Sequence, residues 1–140
     1  MGRRNGSLNN YRPSGDERFM STRQRDYFRV KLLAWRSEIL RLTRETLVNL
    51  QNESSHHPDL ADRATSETVK ALELRARDRQ RKLISKIDAA LSRIDQGTYG
   101  YCLETGDPIN LQRLDARPIA TLSVEAQERH EQRERVYRDD

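Results

Sequence analysis

Apolar residues recur along two long stretches of the chain at the spacing of an amphipathic helix. In the first stretch the steps alternate between four and three residues, through Phe28, Leu32, Trp35, Ile39, Leu42 and Thr46. This is the a/d seam of a heptad repeat, which buries one stripe of a helix against a partner helix. The second stretch defines one helical face through Leu83, Ile87, Leu91 and Ile94.

Helix boundaries can be placed on both stretches. Ser21 and Gln24 have the spacing of a capping box, so the first helix is predicted to run from Ser21 to about residue 52. A segment containing Pro58 then breaks the pattern, and the second helix restarts between residues 62 and 66. Gly97 supplies its C-terminal stop. The fold class predicted is mainly α, with the two helices folded back as a long antiparallel coiled-coil hairpin on a small globular base.

Composition and periodicity together divide the chain into four segments. Residues 1–16 are rich in Gly, Asn, Ser and Arg without periodicity and predict a disordered tail. The hairpin then occupies 17–96, with its tip near 54–66. Residues 97–122 are rich in turn residues, with short aromatic and aliphatic runs that predict a short β-hairpin. A charged C-terminal helix is expected in the last segment, 123–140.

Composition and charge limit the function classes. Of 140 residues, 34% are hydrophobic and 34% are charged, which suits a hairpin with one apolar seam per helix better than a large globular core. The formal net charge of +4 permits nonspecific nucleic-acid binding without requiring it. We expect no membrane span, because no run of about 18 apolar residues occurs. A single cysteine and no apolar leader indicate a cytoplasmic protein.

Asp59 and Asp62 form an acidic pair between the two helical patterns. At a spacing of three residues, their carboxylates face the same way if the segment is helical or turn-like. They also suit the start of a helix, because Asp caps helix N-termini and its charge complements the helix dipole. The residues alone leave both interpretations open.

A basic run lies in the second helix, with six cations and one acid in residues 75–86. Most such runs are simply solvated helix faces. However, Arg75, Arg79, Lys82 and Lys86 step by four, three and four residues, which places them on one stripe. A stripe of this kind can dock on an acidic protein groove or bind phosphates.

Five segments together resemble the DksA/TraR family of bacterial RNA-polymerase-binding regulators. They are residues 33–36 (Leu-Ala-Trp-Arg), the Asp-x-x-Asp-x-Ala pattern of 59–64, the basic segment 72–84, Tyr-Gly-Tyr-Cys at 99–102 and Arg-Leu-Asp-Ala-Arg-Pro at 113–118. The resemblance covers roughly residues 19–127. It implies a coiled-coil hairpin on a globular base that carries a four-cysteine zinc module.

The resemblance also implies a function. Members of the family insert the coiled coil into the secondary channel of RNA polymerase, without sequence-specific DNA binding, and shorten the lifetime of promoter open complexes. This represses ribosomal RNA promoters and helps some amino-acid biosynthesis promoters in the stringent response, together with guanosine tetraphosphate. The expected protein is thus a monomeric, non-enzymatic regulator whose partners are bacterial RNA polymerase and that nucleotide.

Site residues follow from the resemblance position by position. Asp59, Asp62 and Ala64 match the tip that approaches the polymerase active centre, and Asp62 is the aspartate expected to matter most. Arg75 and Arg79, in the basic stripe, match polymerase contacts. The guanosine tetraphosphate site of the family is matched by Leu83, Lys86 and Arg117. Gln127 stands where the family has a basic residue, which predicts weaker synergy with the nucleotide unless Arg129 or Arg133 compensates.

The zinc module is the clearest departure from the family. Its four ligand positions read Cys102, Thr105, Ser123 and Ala126, so one thiol of four is present. Structural zinc needs four sulfur or nitrogen ligands, and none of the histidines at 56, 57 and 130 is expected to complete the set. We predict a metal-free, zinc-finger-like module, with no zinc cofactor, held by packing. The candidate core residues are Tyr99, Tyr101, Leu103, Ile109, Leu111, Leu114, Ile119 and Leu122.

Two other functions compete with this interpretation. Coiled-coil factors of the Gre type stimulate transcript cleavage with an acidic tip that helps to hold a metal ion, and Asp59 and Asp62 could chelate Mg²⁺. A coiled-coil scaffold or nucleic-acid-binding rod would not need Asp62. If such a rod bound DNA electrostatically, its DNA binding would depend steeply on salt. No set of residues typical of a catalytic triad, phosphate loop or cofactor site is visible in the sequence.

Overall fold

The computed structural model describes the backbone of residues 10–55 and 61–138, and the side chains of residues 10–52 and 66–137. Its helices are α1 (Thr22–Ser55), α2 (Ala61–Gln96), α3 (Leu111–Ala116) and α4 (Val124–Arg138). They belong to two compact units. One is the helical pair Leu33–Asp88, and the other combines the chain up to Leu32 with the chain from Ala89 onward.

Helix α1 begins at a cap that the sequence predicted. The Ser21 hydroxyl accepts a hydrogen bond from the Gln24 N–H at 3.3 Å, and the Ser21 carbonyl accepts one from Arg25 at 2.9 Å. Gln24 reaches back as expected, but its side-chain oxygen accepts from the Met20 N–H at 2.8 Å, one residue before the cap. The fully buried Gln24 therefore ties the helix to the preceding turn, where Met20 has a φ of 53°.

Helix α2 ends at Gln96, and Gly97 provides the predicted stop. The Thr98 N–H bonds to the carbonyl of Arg93 at 2.9 Å, and the Gly97 N–H bonds to that of Ile94 at 3.2 Å. This pair of bonds is a Schellman motif, which requires a left-handed residue after the helix. Gly97, with a φ of 81°, provides it without steric cost.

Within the unit Leu33–Asp88, α1 and α2 pair in antiparallel fashion. Arg36 donates to Asp88 at 2.9 Å, and farther along α1 the Gln51 amide donates to Glu73 at 3.3 Å. A step forward along α1 is thus matched by an equal step backward along α2, which is the pairing that the predicted hairpin requires.

The α1 seam follows the predicted heptad only as far as Ile39. Trp35 and Ile39 are half-buried, but Leu42 is 47% exposed and Thr46 is exposed, so both were wrongly placed in the seam. The half-buried positions continue instead at Thr43, Leu47 and Leu50. An added step of four moves the mean spacing of the seam from that of a heptad toward the natural period of a straight α-helix, and such a step is a stutter in the heptad. On α2, by contrast, the predicted face is confirmed, with Ile87 and Ile94 buried and Leu83 and Leu91 half-buried.

The other unit holds most of the buried side chains. Phe28 and Leu32 are completely buried on α1, and the Phe28 ring lies 5.2 Å from the ring of Tyr27 and 5.4 Å from that of Tyr99. Tyr99 is also buried, and its hydroxyl donates to the Pro118 carbonyl at 2.8 Å. This aromatic cluster joins α1 to the segment after α2 and forms the centre of the unit.

The prediction that residues 1–16 form a disordered tail is wrong for part of this segment. Residues 1–9 lie outside the described residues, but Tyr11 is buried and packs edge-on against Tyr27, with ring centroids 5.9 Å apart. Its hydroxyl donates to Glu17, and Arg23 lies over its ring at 4.0 Å. An aromatic side chain in a polar segment can bury enough apolar area to order that segment locally.

The predicted β-hairpin of the module contracts to a single antiparallel bridge between Tyr101 and Pro108. Cys102 donates to the Asp107 carbonyl at 2.8 Å and Ile109 donates to the Gly100 carbonyl at 2.7 Å, on either side of this pair, so Pro108 loses no ladder bond although it lacks an N–H. The bridge ends where the Gly106 N–H turns back to the Cys102 carbonyl at 2.8 Å. The chain then forms the short helix α3, which the sequence did not predict; Asn110 caps it by accepting from the Gln112 N–H at 2.8 Å.

Among the proposed core residues, Tyr101 and Leu103 are exposed, by 38% and 67%. Tyr99, Ile109 and Leu114 are buried as expected, and Leu111, Ile119 and Leu122 are half-buried.

Candidate functional site

The two aspartates expected at the tip lie at the edge of the described structure. Asp59 is outside the described residues. Asp62 and Ala64 belong to the first turn of α2 by their backbone, but their side chains are outside the described set. The backbone position agrees with the helix-start interpretation of Asp62, and the role of its carboxylate stays a prediction.

The basic stripe on α2 is exposed along the Leu33–Asp88 unit, but its members differ in pairing. Lys82 lies 3.4 Å from Asp78 in an ion pair one turn apart. Arg75, Arg79 and Lys86 are exposed and form no ion pair with any described residue. Three of the four predicted cations are therefore available to a partner, and the fourth is partly neutralised.

The residues expected to meet guanosine tetraphosphate are distributed over the two units. Leu83 is half-buried and Lys86 exposed on α2, within the unit Leu33–Asp88. Arg117 and Gln127 belong to the other unit, where Arg117 is exposed just after α3 and the Gln127 amide donates to Glu131 at 3.4 Å. Each residue is placed within its own unit, and their joint action stays a prediction.

Asp115 holds the end of α3 that leads to Arg117, a role that the sequence did not reveal. One of its carboxylate oxygens accepts from the Tyr27 hydroxyl and from the Lys31 ammonium, each at 2.6 Å, and Arg12 lies 3.8 Å from the other oxygen. Burial opposes ionisation of Asp115, but these hydrogen bonds and charges outweigh it and lower its pKa. The partners are far apart in the chain, so no local spacing could have shown the cluster.

Cys102 remains buried where the family has zinc. Burial raises its pKa, but hydrogen bonds from the Thr105 hydroxyl and from the backbone N–H groups of Ser123, Thr105 and Glu104 outweigh burial and lower it to about 6. The groups that lower this pKa come from the loop after Cys102 and from Ser123 before α4.

The residues at the other three positions of the expected zinc site make different interactions. The Thr105 hydroxyl accepts from the Asp107 N–H at 3.2 Å, and the Ser123 hydroxyl accepts from Ala126 at 3.3 Å, which caps α4. The Ala126 side chain is completely buried. These groups supply no thiolate or imidazole, so the residues present do not fit a structural zinc ion. Nor do any three His, Cys, Asp or Glu side chains in the described residues form a group able to hold a metal.

A side-chain contact also joins the loop after Cys102 to α4. The imidazole of His130 lies in hydrogen-bonding contact with Glu104, and the Arg113 guanidinium donates to the Leu122 carbonyl at 2.9 Å. In a zinc finger the metal connects such segments. Here polar contacts and the buried Ala126 connect them.

Comparisons with known proteins agree on one family. The family model described as DnaK suppressor protein DksA, N-terminal domain, matches residues 24–94, and the prokaryotic dksA/traR C4-type zinc finger matches residues 97–132. The chain is 70% identical to the RNA polymerase-binding transcription factor DksA of Caulobacter vibrioides, over 93% of this chain and 92% of the relative.

A more distant relative has the same name, and a solved structure has a similar fold. The RNA polymerase-binding transcription factor DksA of Escherichia coli is 38% identical over 89% of this chain and 83% of its own length. The solved structure of transcription factor DksA2 from Pseudomonas aeruginosa superposes with a TM-score of 0.76 at 41% identity, covering 93% of this chain and 97% of that one. None of the described helices here is long and apolar enough to cross a membrane.

Proposed function

The chain belongs to the DksA/TraR family, and from that membership we propose that it binds bacterial RNA polymerase and regulates transcription. The observation that carries the proposal is the 70% identity, over nearly the whole of both chains, to a Caulobacter protein named as an RNA polymerase-binding transcription factor. The protein acts as a regulator rather than an enzyme, in the cytoplasm where the polymerase works, and as a monomer.

The helical pair formed by α1 and α2 enters the secondary channel of the polymerase. Asp59, Asp62 and Ala64 act near the active centre and destabilise promoter open complexes, which represses ribosomal RNA promoters and aids some biosynthetic promoters. The exposed and unpaired state of Arg75 and Arg79 supports their role as polymerase contacts. Their forked donors suit carboxylates on the partner surface.

Guanosine tetraphosphate acts as co-regulator through Leu83, Lys86 and Arg117. Lys86 and Arg117 are both exposed and available to phosphate groups. Gln127 offers no charge at the place where the family has a cation, and a charged hydrogen bond contributes about 1.5–3 kcal/mol. We therefore expect a weaker response to the nucleotide than in relatives with that cation.

The polymerase contact can be tested by binding of the fluorescently labelled full-length protein to purified cognate RNA polymerase. Replacing Arg75 and Arg79 together by Ala should weaken binding by about tenfold or more, because two charged contacts are lost. Lys82→Ala is the matched control, because Asp78 already pairs with this exposed cation on the same stripe. Equal binding by the double variant and the wild type would contradict the assignment.

The protein acts independently of zinc, since Thr105, Ser123 and Ala126 supply no thiolate or imidazole beside Cys102. The purified protein should contain less than about 0.1 zinc per chain, and a strong chelator should leave its melting temperature unchanged. The matched control is the triple variant Thr105→Cys, Ser123→Cys and Ala126→Cys, which restores the missing zinc ligands. This variant should bind zinc and lose stability when a chelator removes the metal. One tightly bound zinc per wild-type chain would overturn this part of the proposal.

A further inference from the structure

A cavity of about 470 Å³ lies between the turn that precedes α1 and the turn that follows α2. All of its lining residues belong to one compact unit, the one that includes Phe28 and Tyr99. Its volume falls in the range of pockets that hold small molecules, about 300–1,000 Å³. The function proposed above makes no use of this cavity, and its lining shares no residue with Leu83, Lys86, Arg117 or Gln127.

Positive charge dominates the walls of the cavity. Arg18 and Arg25 both line it, and none of its lining residues is acidic. Neither arginine forms an ion pair with any described residue, and the buried Nε of Arg25 has no hydrogen-bond partner. The side chain makes one hydrogen bond, from Nη2 to the Thr22 hydroxyl at 3.3 Å. A buried donor left unsatisfied costs stability. This Nε is closed to solvent, so its missing partner shows that the charge of Arg25 is not neutralised from within the protein.

The backbone around the cavity adds to its positive potential. Ser21 and Thr22 line it at the start of α1, and the first turn of that helix has no acidic residue. Positive charge is unfavourable at a helix N-terminus, where the dipole favours anions. The nearby end of α2 cannot compensate fully, because its Schellman bonds already occupy the carbonyls of Arg93 and Ile94.

An aromatic wall lies beside these charges. Phe19 and Tyr101 both line the cavity, with their rings edge-to-face and their centroids 5.3 Å apart. Tyr101 is 38% exposed, although its sequence context predicts a core residue. A flat ring can stack on such a surface, and stacking of a base on an aromatic side chain contributes about 1–3 kcal/mol.

We propose that this cavity binds a small nucleotide, with its phosphates between Arg18 and Arg25 and its base against Tyr101. Guanidinium forks match phosphate oxygens in geometry and charge, and the aromatic wall accounts for a volume larger than a bare phosphate needs. The site is separate from the one that the family resemblance assigns to guanosine tetraphosphate.

The test is a titration of the full-length, isotopically labelled protein with ADP, followed through its backbone amide resonances. We expect saturable shifts centred on Thr22, Gly97, Gly100 and Tyr101, and none at Lys86 or Arg117. Arg25→Gln should weaken ADP binding by about tenfold or more, because it removes a charged partner of the phosphates. Arg18→Gln should do the same, and since Arg18 is exposed, its loss leaves folding unaffected.

Arg23→Gln provides the matched control. Arg23 lies in the same first turn and its replacement removes the same charge, but it stacks on Tyr11 and does not line the cavity. Its affinity for ADP should change by less than about twofold. Three results would overturn the proposal: no saturable shifts with ADP, the same weakening in the Arg23 and Arg25 variants, or binding of inorganic pyrophosphate as tight as that of ADP.

Discussion

Replacing Asp62 by Asn should abolish promoter regulation while leaving the protein folded. The change removes one negative charge and almost no volume, at the start of α2 where the expected cost to the helix is about 0.3–1 kcal/mol from its dipole. In the proposed function the same charge acts next to the polymerase active centre. Multi-round transcription in vitro from a ribosomal RNA promoter measures the effect, and the thermal unfolding curve reports the fold.

The control for Asp62→Asn is Glu67→Gln, the same neutralisation of an exposed acid farther along α2. It should regulate the promoter like the wild type. If the tip acts through the Asp62 carboxylate, the two variants should differ in promoter repression although they have the same net charge. If Asp62→Asn repressed the promoter as strongly as the wild type, the tip assignment would fail and a scaffold would become the better description of the chain.

Phe28→Ala should produce the largest loss of stability of any single substitution considered. The ring is completely buried between Tyr27 and Tyr99, and truncating a buried Phe costs about 3–5 kcal/mol through lost transfer energy and the cavity left behind. Urea unfolding followed by far-UV circular dichroism measures the free energy of unfolding.

Val30→Ala is the control for this substitution, two residues along α1. Val30 is 53% exposed, and a surface change of this kind alters the free energy of unfolding by about 0.5 kcal/mol or less. If Phe28→Ala cost no more than Val30→Ala, the aromatic cluster would not be the centre of this unit.

Helix boundaries were the part of the fold that local sequence predicted best. The start of α1 depends on Ser21 and Gln24, and the end of α2 on Gly97, and in both cases the bonds form within a few residues. Such signals act through the backbone nearby, and so they can be recognised without knowledge of the rest of the fold.

Features that depend on distant partners were missed or misplaced. Leu42 and Thr46 continue a heptad in sequence, yet the half-buried positions on α1 move to Thr43 and Leu47, and only the packing partner determines that change. Tyr11 is an aromatic residue within a polar segment, and its burial depends on contact with Tyr27, which lies in α1. Tertiary contacts overrode the local pattern in both places.

The candidate sites divide in the same way. Residue spacing located the cations of α2, and the resemblance located the positions where zinc ligands are missing, because both are properties of residue type at fixed positions. It gave no indication of Asp115 as the anchor of α3, nor of the cavity containing Arg25, because both arise where segments distant in the chain meet. The sequence predicted the chemistry of single positions, and the structure was needed to show which positions act together.

Regulation of transcription is measured by adding the wild-type protein to cognate RNA polymerase on a ribosomal RNA promoter, with and without guanosine tetraphosphate, and with a zinc chelator present. We expect repression that the chelator does not alter and that the nucleotide strengthens. Absence of any effect on transcript yield, at protein concentrations well above that of the polymerase, would contradict it.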